Sequence, residues 1–171
     1  MTPEFSRWVD IRGLPHGSLR LEADPAERVA LAKRIGIESI ERFEAEIEMQ
    51  RDGPTIDVAG RITADITQMC AISNEPFATR VDEPVTLRFV PETGSMEPEV
   101  ELEIDSDACD EISYEGTRFD LGEELAQTLA LAIDPYATGP NADRVRQDAG
   151  LADEASSGPF AALAALKRDT N

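Results

Sequence analysis

The chain has 171 residues, 35 of them acidic and 16 Lys or Arg, for a formal net charge of -19. So large an acidic excess argues against a protein that acts mainly by gripping phosphate backbones, which it would repel. At 41% hydrophobic but only 5% aromatic, the chain can bury a core, and that core is mostly aliphatic. The length fits one domain with extensions. Two cysteines, Cys70 and Cys109, are too few for a disulfide-stapled secreted domain and read as reduced thiols. No apolar run approaches the roughly 20 residues of a membrane span. The opening MTPEFSRWVD lacks the apolar centre of a signal peptide. A cytoplasmic protein without membrane contact is therefore expected.

The charge is unevenly spread. Residues 1–34 hold six basic and five acidic side chains, net +1, whereas residues 92–124 hold thirteen acids against Arg118 alone, net -12. The excess is a property of one surface segment.

In chain order, Phe5 to Ile11 reads as a first strand and Ser18 to Ala23 as a second, with Gly13, Pro15 and Gly17 marking a turn between them. Asp24-Pro25-Ala26-Glu27 opens a helix. Asp24 caps free N–H groups, Pro25 suits the first turn, Glu27 completes a capping box, and Gly36 ends the element. Phe43, Ala45, Ile47 and Met49 alternate strictly with glutamates, the pattern of a strand with one wet face. Asp52-Gly53 supplies a hairpin turn into a strand starting at Ile56. Ile62, Ala64 and Ile66 continue the alternation. After a joint at Cys70-Ala-Ile-Ser-Asn-Glu-Pro76, the residues Phe77, Thr79, Val81, Val85, Leu87 and Phe89 share one parity. Val100, Leu102 and Ile104 alternate with Glu99, Glu101, Glu103 and Asp105, which predicts a strand with an acidic outer face. Asp120-Leu121-Gly122-Glu123 repeats the capping pattern before a helix to about Ile133, with Leu121, Leu125, Leu129, Ala132 and Ile133 on one face.

This order excludes β-α-β alternation and predicts an α+β fold: a curved antiparallel meander with a few flanking helices and a flexible C-terminal tail. Residues 1–135 are expected to form the single domain. Residues 136–158, poor in large apolar side chains, are expected to be a flexible linker, and residues 159–171 to hold a short helix.

Three segments carry a family resemblance. The first is the central stretch, with Cys70-x-x-Ser73, Glu75-Pro76 and the run Asp82-Glu83-Pro84-Val85 into a strand; the second is the helix from Asp120-Leu121 to Ile133-Asp134-Pro135; the third is the terminal Pro159-Phe160-Ala-Ala-Leu163-Ala-Ala-Leu166-Lys167. In these the chain resembles the YceD family, the large ribosomal RNA subunit accumulation proteins, over roughly residues 60–167. Many members have C-x-x-C at the joint, where here Ser73 stands in the second position. The resemblance implies a non-enzymatic accessory role in large ribosomal subunit biogenesis and rRNA accumulation. It also implies a partner, since members are often encoded beside a small zinc-ribbon protein of the large subunit.

The residues themselves show no motif for catalysis. A structural zinc needs four N or S ligands. Two cysteines and the single histidine, His16, fall short without a carboxylate, so Cys70 and Cys109 read as small half-buried residues and no metal or cofactor is expected. The run from Asp105 to Gly116 lacks the Gly and Glu that a calcium loop needs at its sixth and twelfth positions, where Asp110 and Gly116 stand. His16 has no assignable triad partners. Adjacent acids such as Glu123 and Glu124 do not face each other on a helix. What remains is binding. The acidic face of Glu99, Glu101, Glu103 and Asp105 is a candidate surface for a basic ribosomal protein or a large-subunit precursor particle, with rRNA contacted indirectly. Phe160, Leu163, Leu166 and Lys167 are candidate contacts of a terminal helix that either docks on its own domain or, the preferred reading, enters a partner's groove. The alternative is direct rRNA binding by Arg7, Arg12, Arg20, Arg28, Lys33 and Arg34, against which stands the reading of ordinary solvated charge.

Overall fold

In the computed structural model, which describes residues 3–92 and 110–150, the elements run β1 (Trp8–Asp10), β2 (Leu19–Glu22), α1 (Pro25–Ile35), β3 (Ser39–Asp52), β4 (Thr55–Met69) and β5 (Pro76–Pro91), then β6 (Asp110–Tyr114), β7 (Arg118–Asp120), α2 (Leu121–Ala132) and α3 (Ala142–Asp148). The fold is α+β, as the patterning predicts. A five-stranded sheet has the order β2-β3-β4-β5-β6, and β1 pairs separately with β7. From β2 to β5 every neighbour is antiparallel, which is the expected meander.

Strand parity sets the two faces. Phe43, Ala45, Ile47, Ile56, Val58, Ile62, Ala64, Ile66, Val85, Leu87 and Phe89 are buried on one side, where α1 and α2 add Leu31, Leu121, Leu125 and Leu129. The other side is polar: Glu44 pairs across the ladder with Thr63, Glu46 with Arg61 and Asp65 with Arg80. Gly60 permits the sheet to coil. A Cβ there would overlap the Glu46 carbonyl oxygen and lie 2.6 Å from the Ile47 Cα, so β3 and β4 approach more closely than any larger residue allows.

Both helix starts follow their capping signals. Asp24 accepts hydrogen bonds from the Ala26 and Glu27 N–H groups at 2.8 and 2.9 Å, and Glu27 reaches back to the Asp24 N–H, closing the box. At α2 only half the box forms. Asp120 accepts from the Glu123 N–H, but the Glu123 carboxylate turns to Arg34.

The structure departs from the local reading in three places. β1 is three residues long and pairs with β7, not with β2. Only Trp8–Asp10 find ladder partners, and those lie more than a hundred positions away. β6 and β7, to which the sequence reading assigns no element, are too short for a legible period. β6 also runs parallel to β5, a pairing that no hairpin signal announces. Within residues 136–158 the described part carries α3 and a tether: the Ala71 N–H donates to Ala137 O at 3.0 Å, Asn141 Nδ2 donates to Glu75 Oε2 at 2.7 Å, and Gly139 packs on the Phe77 ring. The expected strand at residues 100–104 and the terminal helix lie outside the described residues. Among the described residues no helix is long and apolar enough to cross a membrane.

Candidate functional site

The acidic face of Glu99, Glu101, Glu103 and Asp105 lies outside the described residues, and so does the terminal set Phe160, Leu163, Leu166 and Lys167. The basic residues of the alternative reading are all described, and the fold engages most of them. Arg7 forks onto Glu27 at 2.6 and 2.8 Å and stacks 4.3 Å over the Phe5 ring. Arg12 is held by Asp10, and Arg20 by Glu44 at 2.9 Å. Arg34 forks onto Glu123 and also meets Glu4 at 2.9 Å, joining α1, α2 and the N-terminal segment. Arg28 donates to the Ala23 carbonyl. These pairs move the titrations as ion pairs should: hydrogen bonds from Arg7 lower the Glu27 pKa, those from Arg34 lower the Glu123 pKa, and Arg42 with Arg20 hold Glu44 at about 2. Four of the six N-terminal cations are thus matched to carboxylates.

A different corner draws together residues that sequence reasoning left apart. Asp120 ends β7 and caps α2, and its carboxylate also clasps the N-terminal segment. It accepts from Ser6 Oγ at 2.5 Å and from the Arg7 N–H at 2.7 Å, while the Leu121 N–H donates to Arg7 O. Gly122 makes the approach possible, since a Cβ there would stand 2.5 Å from Phe5 O and 2.7 Å from Arg7 N. The clasp places Trp8 beside β7. There it walls a cavity of about 220 Å³ floored by Phe89, Tyr114 and Phe119 and rimmed by Glu115, Arg118 and Glu124. Phe89 and Phe119 stack at 3.9 Å, and the Tyr114 hydroxyl donates to Pro54 O, so the floor is rigid. Trp8 itself is 64% exposed.

The rim carboxylates differ sharply. Glu123 is paired with Arg34. Glu124, one residue on, makes no ion pair or side-chain hydrogen bond among the described residues; partial burial, then the neighbouring charges of Glu123 and Asp120, push its pKa up. Arg118, the only cation on the rim among the described residues, sits with its guanidinium 5.9 Å over the Trp8 ring. Trp8 was not singled out from the sequence, and Glu124 was named there only as the neighbour of Glu123. The available signal was a lone tryptophan in an otherwise aliphatic, acidic chain.

The joint between β4 and β5 keeps Cys70 buried. The Ile72 and Ser73 N–H groups donate to its Sγ at 3.4 and 3.3 Å, and Asn74 takes a left-handed φ of 55° to close the turn. Hydrogen bonding from Ser73, and then from the Gly139 and Ile72 backbone, outweighs desolvation and brings the thiol pKa down to about 6. Among the described residues no group of three or more His, Cys, Asp or Glu is placed to hold a metal ion.

Compared with known proteins, residues 58–167 match the family model described as large ribosomal RNA subunit accumulation protein YceD. No curated protein and no solved structure matches the chain. The matched range begins in β4 and includes the joint, β5 to β7 and all of α2; Trp8 and the N-terminal arginines precede it.

Proposed function

The chain belongs to the YceD family, whose role is in large-subunit ribosomal RNA accumulation, and on that premise we propose that it acts in the cytoplasm as a non-enzymatic binding factor for a basic protein of the large ribosomal subunit. Its acidic surface would shield that protein before it meets rRNA. One observation carries this reading over direct rRNA binding. Arg7, Arg12, Arg20 and Arg34 are matched to Glu27, Asp10, Glu44 and Glu123, so the net charge offered outward is negative. A chain at -19 with its arginines so engaged attracts polycations and repels phosphate backbones. The face of Glu99, Glu101, Glu103 and Asp105 supplies long-range attraction, and the terminal Phe160, Leu163, Leu166 and Lys167 a second anchor.

The test is affinity capture from lysate with and without nuclease. A basic large-subunit protein should remain bound after nuclease, and its association should slow when the four carboxylates at 99, 101, 103 and 105 are changed together to amides. Loss of all large-subunit material on nuclease treatment would reverse the reading in favour of direct rRNA contact.

A further inference from the structure

The corner at Trp8 is built more elaborately than its place in the fold requires. An indole at a strand end normally turns its ring into the core, yet this one stands 64% exposed beside a cavity with an aromatic floor. The half-buried carboxylate facing that cavity, Glu124, lacks a partner among the described residues, although Arg34 and Arg118 lie on neighbouring elements. A partly desolvated carboxylate beside an aromatic face is the pairing that receives a guanidinium: the carboxylate accepts its N–H groups while the ring takes its flat face. The structure already shows the second half of this, because Arg118 lays its guanidinium over Trp8. A volume of about 220 Å³ has room for one long side chain.

We propose that the cavity between Trp8, Phe119 and Glu124 is a socket for an arginine side chain of a basic polypeptide. The proposal deepens the reading given above: it rests on a basic protein partner and names the point at which that partner is anchored. The acidic surface attracts the partner at long range, and the socket fixes one guanidinium at short range. Trp8 supplies the face, Glu124 the charge, and Arg118 a like charge that the incoming group must move aside.

The chain contains one tryptophan, so its emission reports this corner alone. The full chain is titrated with an acetylated hexa-arginine peptide and, separately, with hexa-lysine, following Trp8 emission and the heat of binding at near-physiological salt. Hexa-arginine should shift the emission saturably and bind more tightly than hexa-lysine. Glu124→Gln should weaken it roughly tenfold, as expected for loss of a charge-assisted pair. Arg118→Ala should tighten it several-fold, an effect in the opposite direction that a damaged fold cannot mimic. If heat shows the peptide binding while Trp8 emission stays fixed and both variants match the parent, the peptide sits elsewhere on the acidic surface. That result sinks the socket and leaves the proposed function standing. If the socket behaves as described but nuclease strips every large-subunit protein from the captured material, the proposed function fails and the socket stands. Absence of any binding refutes the socket.

Discussion

Glu123 and Glu124 are neighbours in the first turn of α2, and they live in opposite electrostatic worlds. Around a helix, consecutive residues point about 100° apart. Glu123 therefore faces α1, where Arg34 forks onto it and also gathers Glu4, and its pKa falls. Glu124 faces the β6–β7 corner, where its near neighbours are carboxylates, and its pKa rises. The α1–α2 seam is a closed account in which charge holds elements together. The adjoining corner, whose rim Glu123 shares, leaves the Glu124 charge unmet among the described residues. The difference shows that an acidic chain does not spread its excess evenly: Arg34 is engaged by two carboxylates where three segments are joined, whereas Arg118 at the cavity lies over Trp8 and forms no ion pair with Glu124.

The largest expected effect erases the comparison altogether. Gly122→Ala drives a Cβ into Phe5 O and Arg7 N, which pushes the N-terminal segment off α2 and opens both seam and corner. Overpacking against backbone of this kind should cost about 3 kcal/mol, read by urea unfolding, with Trp8 emission shifting in the native baseline.

A smaller change breaks the closed side only. Arg34→Ala leaves Glu4 and Glu123 without their shared cation. With the Arg34 side chain 37% exposed, solvent screening limits the loss to about 1 kcal/mol at pH 7. The sign with pH follows from the lowered Glu123 pKa. The stabilisation is full above the ordinary glutamate value of 4.5 and fades as pH falls through the folded-state value, so the gap between variant and parent should narrow in acid.

The open side should behave in reverse. Because the Glu124 pKa is raised, its ionised form disfavours the fold above the folded-state pKa, and that penalty vanishes below 4.5. Glu124→Gln should therefore stabilise the protein at pH 7, by about 0.5 kcal/mol after allowance for screening, with the gain lost on acidification. Thermal unfolding at a series of pH values checks both variants, and identical slopes for the two would dissolve the contrast.

The smallest effect sharpens the comparison with a charge held by neither cation nor burial. Cys70 is stabilised as a thiolate by hydrogen bonds alone, so its ultraviolet titration in the native protein should centre near 6. Ser73→Ala should move that midpoint upward without altering the titration of Glu123.

The sequence made the sheet legible because alternation is local: the parity of Phe43 to Met49 and of Phe77 to Phe89 is what the strands bury, and the Asp24 box is what starts α1. The corner was not legible. Its parts come from residues 8, 89, 114, 119 and 124, and no local period links them. The ion pairs were hidden for the same reason, since Arg34 and Glu123 stand 89 positions apart. Reading the arginines as solvated charge balanced by acids was physically right, but which acid serves which arginine is decided by the packing of α1 against α2.

The clasp at Asp120 has a kinetic consequence. It joins Ser6 to a residue 114 positions away, whereas β3, β4 and β5 pair through short connections. Closing so long a loop is entropically costly, and the contacts that offset it, the three-residue ladder, the Asp120 clasp and the burial of Phe5 and Val9, form only once the loop is closed. The meander should therefore form first and the Trp8 corner last. On opening the order reverses, so the amides of Val9 and Leu121 should exchange with solvent well before those of Ile62 and Ala64. A binding corner that assembles last is also the part of the molecule a partner can most readily stabilise, and its arrival would be seen as slowed exchange there while the sheet remains unchanged.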